Sequence, residues 1–228
     1  MSVVPLKLLS SMATREVLTE LAGAYRQLTG QSVTAEAAGG VDIAKRVQEG
    51  EGADVVVLSS SAIDKLISAG KLRSRVDLVR SGIAVAVRAG APRPDIATEE
   101  AVKRAVLAAR TLSYSTGPSG VYLEKMFERW GILGQIRDRI VVPRPGIPVG
   151  SLVASAEAEL GFQQLSELMT LPGIEVLGPL PQQIQSITVF SGGVGVSSTQ
   201  QDAARALLDY MASEVAAPVK ERFGMQPA

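Results

Sequence analysis

Tyr114-Ser-Thr-Gly-Pro-Ser-Gly-Val-Tyr122 is the stretch on which the reading of this chain turns. Thr111-Leu-Ser-Tyr114 before it has the composition of a short buried strand. After it, Val121, Tyr122, Met126, Phe127 and Trp130 recur at helical spacing until Gly131 supplies a stop. The polar loop between the two offers Ser115, Thr116 and Ser119 as N-caps. Gly117 and Gly120 fall where backbone must approach closely. A strand–loop–helix junction of this kind turns free N–H groups and the positive end of a helix dipole toward one spot, which suits an anion. An ordinary capped connection would use the same residues, since Ser and Thr are favoured N-caps wherever helices begin. Repetition of the arrangement earlier in the chain decides between the two.

Leu6-Lys-Leu-Leu9 is an apolar run ending in Ser10-Ser11. Val17, Leu18, Leu21, Tyr25 and Leu28 then follow at helical spacing up to Gly30. Ser32 to Glu36 reads as a second strand opening into Ala38-Gly39-Gly40, with a short helix through Val41, Ile43, Ala44 and Val47. Ala53-Asp-Val-Val-Val-Leu58 lacks alternation, which predicts a buried parallel strand. Ser59-Ser60-Ser61 and a helix carrying Ile63, Leu66 and Ile67 come next. Three such units in succession place Ser or Gly where a strand's carboxyl end meets a helix, the edge at which open parallel sheets bind ligands.

Composition narrows the chemistry. The 228 residues suffice for one large or two small domains, and the 46 % hydrophobic, 20 % charged make-up is that of a soluble globular chain. Twenty-three basic residues balance twenty-three acidic ones, and no Lys/Arg stripe is evident, which argues against a nucleic-acid partner. With no Cys and no His, the chain has no Ser–His–Asp or Cys–His catalysis, no thiolate or imidazole metal site and no disulfides. Carboxylates, Tyr, Lys, Arg and backbone dipoles remain. We expect no metal and no cofactor. No run is apolar for the roughly 18 residues of a membrane span, and Met1-Ser-Val-Val-Pro-Leu-Lys7 lacks a signal peptide's apolar core. The expectation is a cytoplasmic location as written, or a periplasmic one for a trimmed mature chain.

Further along, Gly82 to Val87 is predicted as a strand, Thr98 to Ala109 as a helix, and Gly134 to Asp138 as a helical turn. Ile140-Val-Val142 is predicted as a strand, and Pro143 to Val149 as a loop feeding a helix from Ser151 to Glu157. Glu159 to Gln164 reads as a strand with an unusual Gln163-Gln164 pair, followed by a short helix from Ser166 to Met169. If the pair is buried at the sheet's carboxyl edge, its amides need partners, and a ligand is one candidate. Gly173 to Leu177 and Gln185 to Phe190 are strands. Gly192-Gly-Val-Gly195 reads as a flexible connection without a phosphate-loop Lys, Thr199 as the cap of a helix presenting Ala203, Ala206, Leu207 and Tyr210, and Ser213 to Gly224 as one more helix.

The order of elements, together with Leu8-Leu-Ser-Ser11, Ala53 to Ser59, Gly117-Pro-Ser-Gly-Val-Tyr122 and the segment from Ala203 to Gly224, resembles type 2 periplasmic solute-binding proteins of the molybdate-binding branch, over nearly the whole chain. The resemblance implies an α/β, two-lobed fold with a ligand cleft between lobes. Residues 1–80 plus 191–228 would form lobe I and 81–190 lobe II, with crossings near 77–87 and 185–190. It places ligand contacts on Ser10 or Ser11, the Ala38–Val41 loop (Gly39 and Gly40), Ser115 to Gly120 (Ser115, Gly117, Ser119 and Gly120), Val149 and Gln164. Ser59 and Ser60 join them by loop position, and Arg15 and Arg80 are candidate counter-charges. Glycines stand where the molybdate binders have a Ser, and Gln164 where they have a Tyr. Losing two hydroxyl donors favours a flatter, larger ligand such as a small carboxylic acid. Gly161 to Glu167 and Ile187 to Ser191 are similar to the aconitate-isomerising subgroup of the same branch.

The expected function is therefore capture of a small anion, with isomerisation of an aconitate-like tricarboxylate as the alternative. Moving a double bond beside carboxylates needs a positioned base and acid, and Tyr114, Tyr122 and Glu167 are the candidates near the loops. The expected partners are the small anionic ligand and, if the chain is exported, the membrane component of an ABC transporter. No nucleic acid is expected, and the chain is expected to be a monomer. A ligand-sensing regulator of this fold would need a helix-turn-helix, for which residues 1–5 leave no room.

Overall fold

The computed structural model describes residues 4–144 and 146–228. The start of the amino-terminal segment and the middle of the Pro143–Val149 loop lie outside the described residues. In chain order the elements are β1 (Leu6–Ser11), α1 (Arg15–Thr29), β2 (Val33–Ala38), α2 (Gly40–Gln48), β3 (Val55–Ser59), α3 (Ser60–Ser68) and β4 (Leu72–Arg88). Then come α4 (Glu99–Ala108), β5 (Leu112–Tyr114), α5 (Pro118–Arg129), α6 (Leu133–Ile136), α7 (Val149–Ala154), β6 (Leu160–Gln164), α8 (Leu165–Leu168) and β7 (Ile174–Pro179). The chain closes with β8 (Ile187–Gly195), α9 (Gln201–Ala212), α10 (Ala217–Arg222) and β9 (Gln226–Pro227). It divides into two compact units, residues 1–81 with 188–228 and residues 82–187.

In the first unit the strands lie in the order β2-β1-β3-β8, with β4 beyond β8 and β9 against β4. β1 is parallel to both β2 and β3, while β3 meets β8 antiparallel, so the predicted parallel strand has one neighbour of each kind. α1 buries Val17, Leu18, Leu21, Ala22 and Tyr25, a single stripe at helical spacing, against Leu6, Leu8, Val55 and Val57. On the opposite face α2 and α3 cover Leu9, Val56 and Leu58 with Ile43, Val47, Ile63 and Leu66. Lys220 of α10 is fully buried, and its ammonium nitrogen has no hydrogen-bond partner among the described residues.

Gly192 to Gly195 does not form a flexible connection. It is the buried end of β8. A Cβ on Gly192 would lie 2.2 Å from Leu208 of α9, and one on Gly195 would lie 1.9 Å from the Ala53 carbonyl oxygen. The glycines serve close packing there, not mobility. Thr199 does not cap α9 either. Gln200 occupies the N-cap position, and the nearby hydroxyl that works is Ser198, which donates to Asp54 at 2.5 Å and accepts from the Gln200 N–H at 3.0 Å.

The second unit orders its strands β5-β6-β4-β7, with β5 parallel to β6 and β4 antiparallel to both β6 and β7. Phe127 and Phe162 are fully buried at its centre, 6.2 Å apart and edge to face. Tyr114 and Trp130 also pack on Phe127, with ring centroids 5.9 Å and 5.8 Å away. The Trp130 indole N–H donates to Glu99 at 2.5 Å. Ile140-Val-Val142 forms no strand. Ile140 makes one parallel bridge to Leu112 and the Val141 N–H reaches the Leu112 carbonyl at 2.8 Å, after which Pro143 has no N–H to continue a ladder. β4 is longer than the predicted 82–87 segment. Its first half carries Arg73, Arg75 and Asp77 on an exposed surface, where Arg75 pairs with both Asp77 and Asp64.

Candidate functional site

Each unit gathers its polar loops at the carboxyl edge of its parallel strands. In the first unit the register sets Ser11 beside Ala38 and Ser10 beside Val57, so the ends of β2, β1 and β3 are level. Gly40 opens α2 against Ser11: a Cβ there would stand 3.5 Å from the Ser11 Cβ. Ser10 and Ser11 are buried, as is Thr14, whose hydroxyl donates to the Ser11 carbonyl at 3.1 Å and lies 3.4 Å from the Ser11 hydroxyl. Thr14 was not a sequence candidate. Its position one turn after Ser11 is the signal that could have found it. Gly39 and Ser59 are the N-cap residues of α2 and α3, and Ser60 is the first residue of α3. Arg15 is spent on its neighbour, its Nε donating to Glu16 at 2.8 Å. Arg80 is exposed on β4 opposite Gln226, where its charge acts on Asp77.

In the second unit Tyr114 pairs with Phe162 across β5 and β6, so Ser115 follows level with Gln163. The Ser115 and Ser119 hydroxyls are 2.8 Å apart, and Ser119 and Gly120 are buried. Neither Ser115, Thr116 nor Ser119 caps α5. The N-cap is Gly117, in extended backbone, with Pro118 at the first helical position. Gly120 allows the loop to fold onto itself, because a Cβ there would sit 1.5 Å from the Ser115 carbonyl oxygen. Val149 starts α7 and packs beside Gly161 of β6. Gln164 is buried at the N-cap of α8.

Among the described helices only α4 carries a side-chain N-cap. α2, α3 and α5 all begin at the carboxyl edges without a side-chain cap. α4, which starts at the other edge of the second unit's sheet, is capped by Thr98, whose hydroxyl accepts from the Ala101 N–H at 3.1 Å. First-turn N–H groups left without a side-chain acceptor keep their donors and the positive dipole end for water or an anion.

The candidate acid–base groups separate cleanly. Tyr122 is structural, its hydroxyl donating to the Ile184 carbonyl at 2.9 Å. Burial raises the Tyr114 phenol above its ordinary pKa, and Glu124 adds to this, so it stays protonated at neutral pH. Gln163 and Gln164 do not face solvent; both are 3 % exposed. Gln163 donates its amide nitrogen to Glu167 at 2.8 Å, while its amide oxygen is buried without a hydrogen-bond partner among the described residues. No cluster of three or more Asp and Glu suited to a metal occurs among the described residues. A surface hollow of about 270 Å³ lies between α1 and the start of β2, lined by Thr19, Arg26 and Ser32, away from the loops described above.

This topology is the two-lobed α/β fold of type 2 periplasmic binding proteins. A periplasmic molybdate-binding protein from Azotobacter vinelandii superposes with a TM-score of 0.80 at 20 % identity, covering 96 % of this chain and 98 % of that one. A sulfate-binding protein from Mycobacterium tuberculosis does so with a TM-score of 0.78 at 16 % identity, covering 99 % and 87 %. The chain belongs to the bacterial extracellular solute-binding protein family, whose model matches residues 6–226. It is 42 % identical over 235 aligned positions to a protein named aconitate isomerase from Pseudomonas sp., covering 99 % of this chain and 88 % of that one.

Proposed function

We propose that this protein binds aconitate or a closely similar small tricarboxylate and shifts its double bond, interconverting the isomers. The observation that carries the reading is the 42 % identity over 99 % of the chain to the Pseudomonas protein named aconitate isomerase. The molybdate- and sulfate-binding structural neighbours are far more distant, at 20 % and 16 % identity.

The site chemistry supports a carboxylate ligand. In the first unit, α2 and α3 start without side-chain caps near the buried hydroxyls of Ser10, Ser11 and Thr14; in the second, α5 starts without one near the buried Ser119. Within each unit, donors of this kind suit a carboxylate without requiring a buried cation. By the resemblance to molybdate binders, Gln164 and the Gly39–Gly40 pair stand where hydroxyl-bearing residues would shape a pocket for a tetrahedral anion. A proton shift can run on a carboxylate base, which a chain without His or Cys still supplies. The transition state would be stabilised by N–H dipoles aimed at the developing negative charge.

Membership of the extracellular solute-binding family favours a second reading, in which the same carboxylate is only captured and handed to an ABC transporter. One experiment separates the two. The protein is incubated with trans-aconitate and with cis-aconitate, and the isomers are followed by proton NMR, while melting temperature is recorded against both acids, citrate, molybdate and sulfate. Isomer interconversion supports the enzyme. A melting shift from the tricarboxylates without conversion at high protein concentration supports passive capture. A shift with molybdate or sulfate alone refutes both.

A further inference from the structure

Resting on the isomerase reading, we infer that Glu167 is the group that carries the proton, held in place by Gln163. The two come together at the carboxyl end of β6, where Gln163 is the penultimate strand residue and Glu167 sits in the single turn of α8. A helical side chain points back toward its helix's N-terminus, which brings the carboxylate over the strand end. Gln163 donates to it at 2.8 Å. The orientation of the amide is fixed by chemistry: a carboxylate only accepts, so the amide nitrogen faces Glu167 and the amide oxygen faces away. That oxygen is buried without a hydrogen-bond partner among the described residues, an arrangement a chain retains at a cost.

The unusual amide is explained if Glu167 changes protonation state during turnover. Against the carboxylate, Gln163 offers N–H. Against the carboxylic acid, a half-turn of the same amide offers an oxygen to accept the new O–H. An apolar residue could do neither, and a lysine or arginine would serve only the charged form.

The two tyrosines near the loops, and several carboxylates of the second unit, are held for other tasks. Tyr122 is bonded to backbone and Tyr114 is held protonated. Glu159 and Glu175 form ion pairs with Arg110 and Arg93. Glu157 accepts from Ser155, and Glu99 accepts from Trp130. Glu167 stands one strand away from the Ser115–Ser119 hydroxyl pair and the start of α5, because Ser115 follows β5 level with Gln163. A tricarboxylate seated on those donors has its carbon chain within a neighbouring strand spacing, roughly 5 Å, of the β6 end.

The step is a balanced proton shift. The Glu167 carboxylate takes a proton from the methylene carbon, and the C–H pair becomes part of an allylic anion spread into the adjoining carboxylates. The proton returns from the Glu167 acid to the former vinyl carbon at the other end of the allyl unit. One C–H bond breaks, one forms, the double bond moves by one carbon, and nothing is oxidised or reduced. The rotamer in which the anion is held sets whether the product is cis or trans.

The test uses the full chain as wild type, Glu167→Gln, Glu167→Asp and Gln163→Met. Each is given trans-aconitate in D2O, with isomer ratio and loss of the methylene proton signal followed by NMR and melting temperature recorded with and without the acid. Glu167→Gln is expected to lower kcat by about 10²–10⁴-fold, the usual contribution of a positioned acid–base group, with KM changed only a few-fold. The melting shift caused by trans-aconitate should persist in that variant. Glu167→Asp should recover part of kcat, and Gln163→Met should lower kcat more than it changes KM. If Glu167→Gln does not fold, Glu167→Asp and Gln163→Met carry the same split. Wild-type kcat in Glu167→Gln overturns this assignment and leaves the isomerase reading standing. Loss of the melting shift together with activity makes Glu167 a ligand-holding group and also overturns it. A wild type that neither converts nor exchanges removes both the assignment and the reading beneath it.

Discussion

Two glycines three positions apart at the start of α5 are expected to respond very differently to the same methyl group. In Gly120→Ala the added Cβ would lie 2.7 Å from the Ser115 carbonyl carbon and 1.5 Å from its oxygen, the latter under half the ~3.5 Å at which non-bonded heavy atoms rest. The obstacle is backbone, which cannot rotate aside as a side chain can. Overpacking of this sort costs about 1–3 kcal/mol, and the rigid obstacle places Gly120→Ala at the upper end. At roughly 2–4 °C per kcal/mol for a chain of this size, the melting temperature should fall by about 6–12 °C. In Gly117→Ala the Cβ meets only the Ser115 hydroxyl oxygen at 3.8 Å, and the φ of −84° is open to any residue. Its melting temperature should stay within about 2 °C of wild type, since substitutions away from such obstacles usually change stability by under 0.5 kcal/mol. The methyl stands at the N-cap of α5, so trans-aconitate should shift its melting less than it shifts that of wild type. Calorimetry on both variants, with and without ligand, reads all of these quantities. A Gly120→Ala protein that melts with wild type would refute the close approach of the loop to itself. A Gly117→Ala protein with an undiminished ligand shift would separate α5 from the anion.

Three further outcomes follow from groups outside the loops. Lys220→Met should raise the melting temperature at neutral pH, because burial pulls the lysine's pKa below its ordinary 10.5. The unfolded chain then holds that proton more tightly, so the gain should shrink as pH rises toward 10.5, and a constant gain over that range would contradict it. Glu51 is held down to about 2 by hydrogen bonds from Arg46 and Lys7. It therefore contributes stability above its ordinary 4.5 that is lost as pH falls toward 2, and Arg46→Met should move the acid-unfolding midpoint to higher pH, as followed by circular dichroism. Thr98→Ala removes the hydroxyl that caps α4 and should cost about 1 kcal/mol in denaturant titration; no loss would show that the cap contributes nothing.

Strand–loop–helix alternation was legible in the first sixty-odd residues because apolar spacing there follows one period at a time, as in the α1 stripe from Val17 to Tyr25. The first half of β4 was not, since Arg73, Arg75 and Asp77 break any apolar pattern, and the ion pairs that make this surface workable are visible only once Asp64 is beside them. Gly192 and Gly195 mislead for a related reason. A glycine in a hinge and a glycine under a packed leucine look alike until the leucine is in place. Within the loops, residue types were readable from capping and turn preferences. Pairings were not: the Ser115–Ser119 bond, the Thr14–Ser11 bond and the tie from Gln163 to Glu167 depend on register and helix phase, which no short window of sequence specifies.

The lone tryptophan has a use beyond packing. Trp130 belongs to the 82–187 unit and rests against Phe127, so intrinsic fluorescence excited at the red edge of absorption observes that half of the chain and is blind to the other. Ellipticity in the far ultraviolet sums over both. Recorded in the same urea series, the two signals act as separate gauges: coincident curves mean the halves melt as one, and an emission curve displaced from the ellipticity curve means that each half carries its own stability.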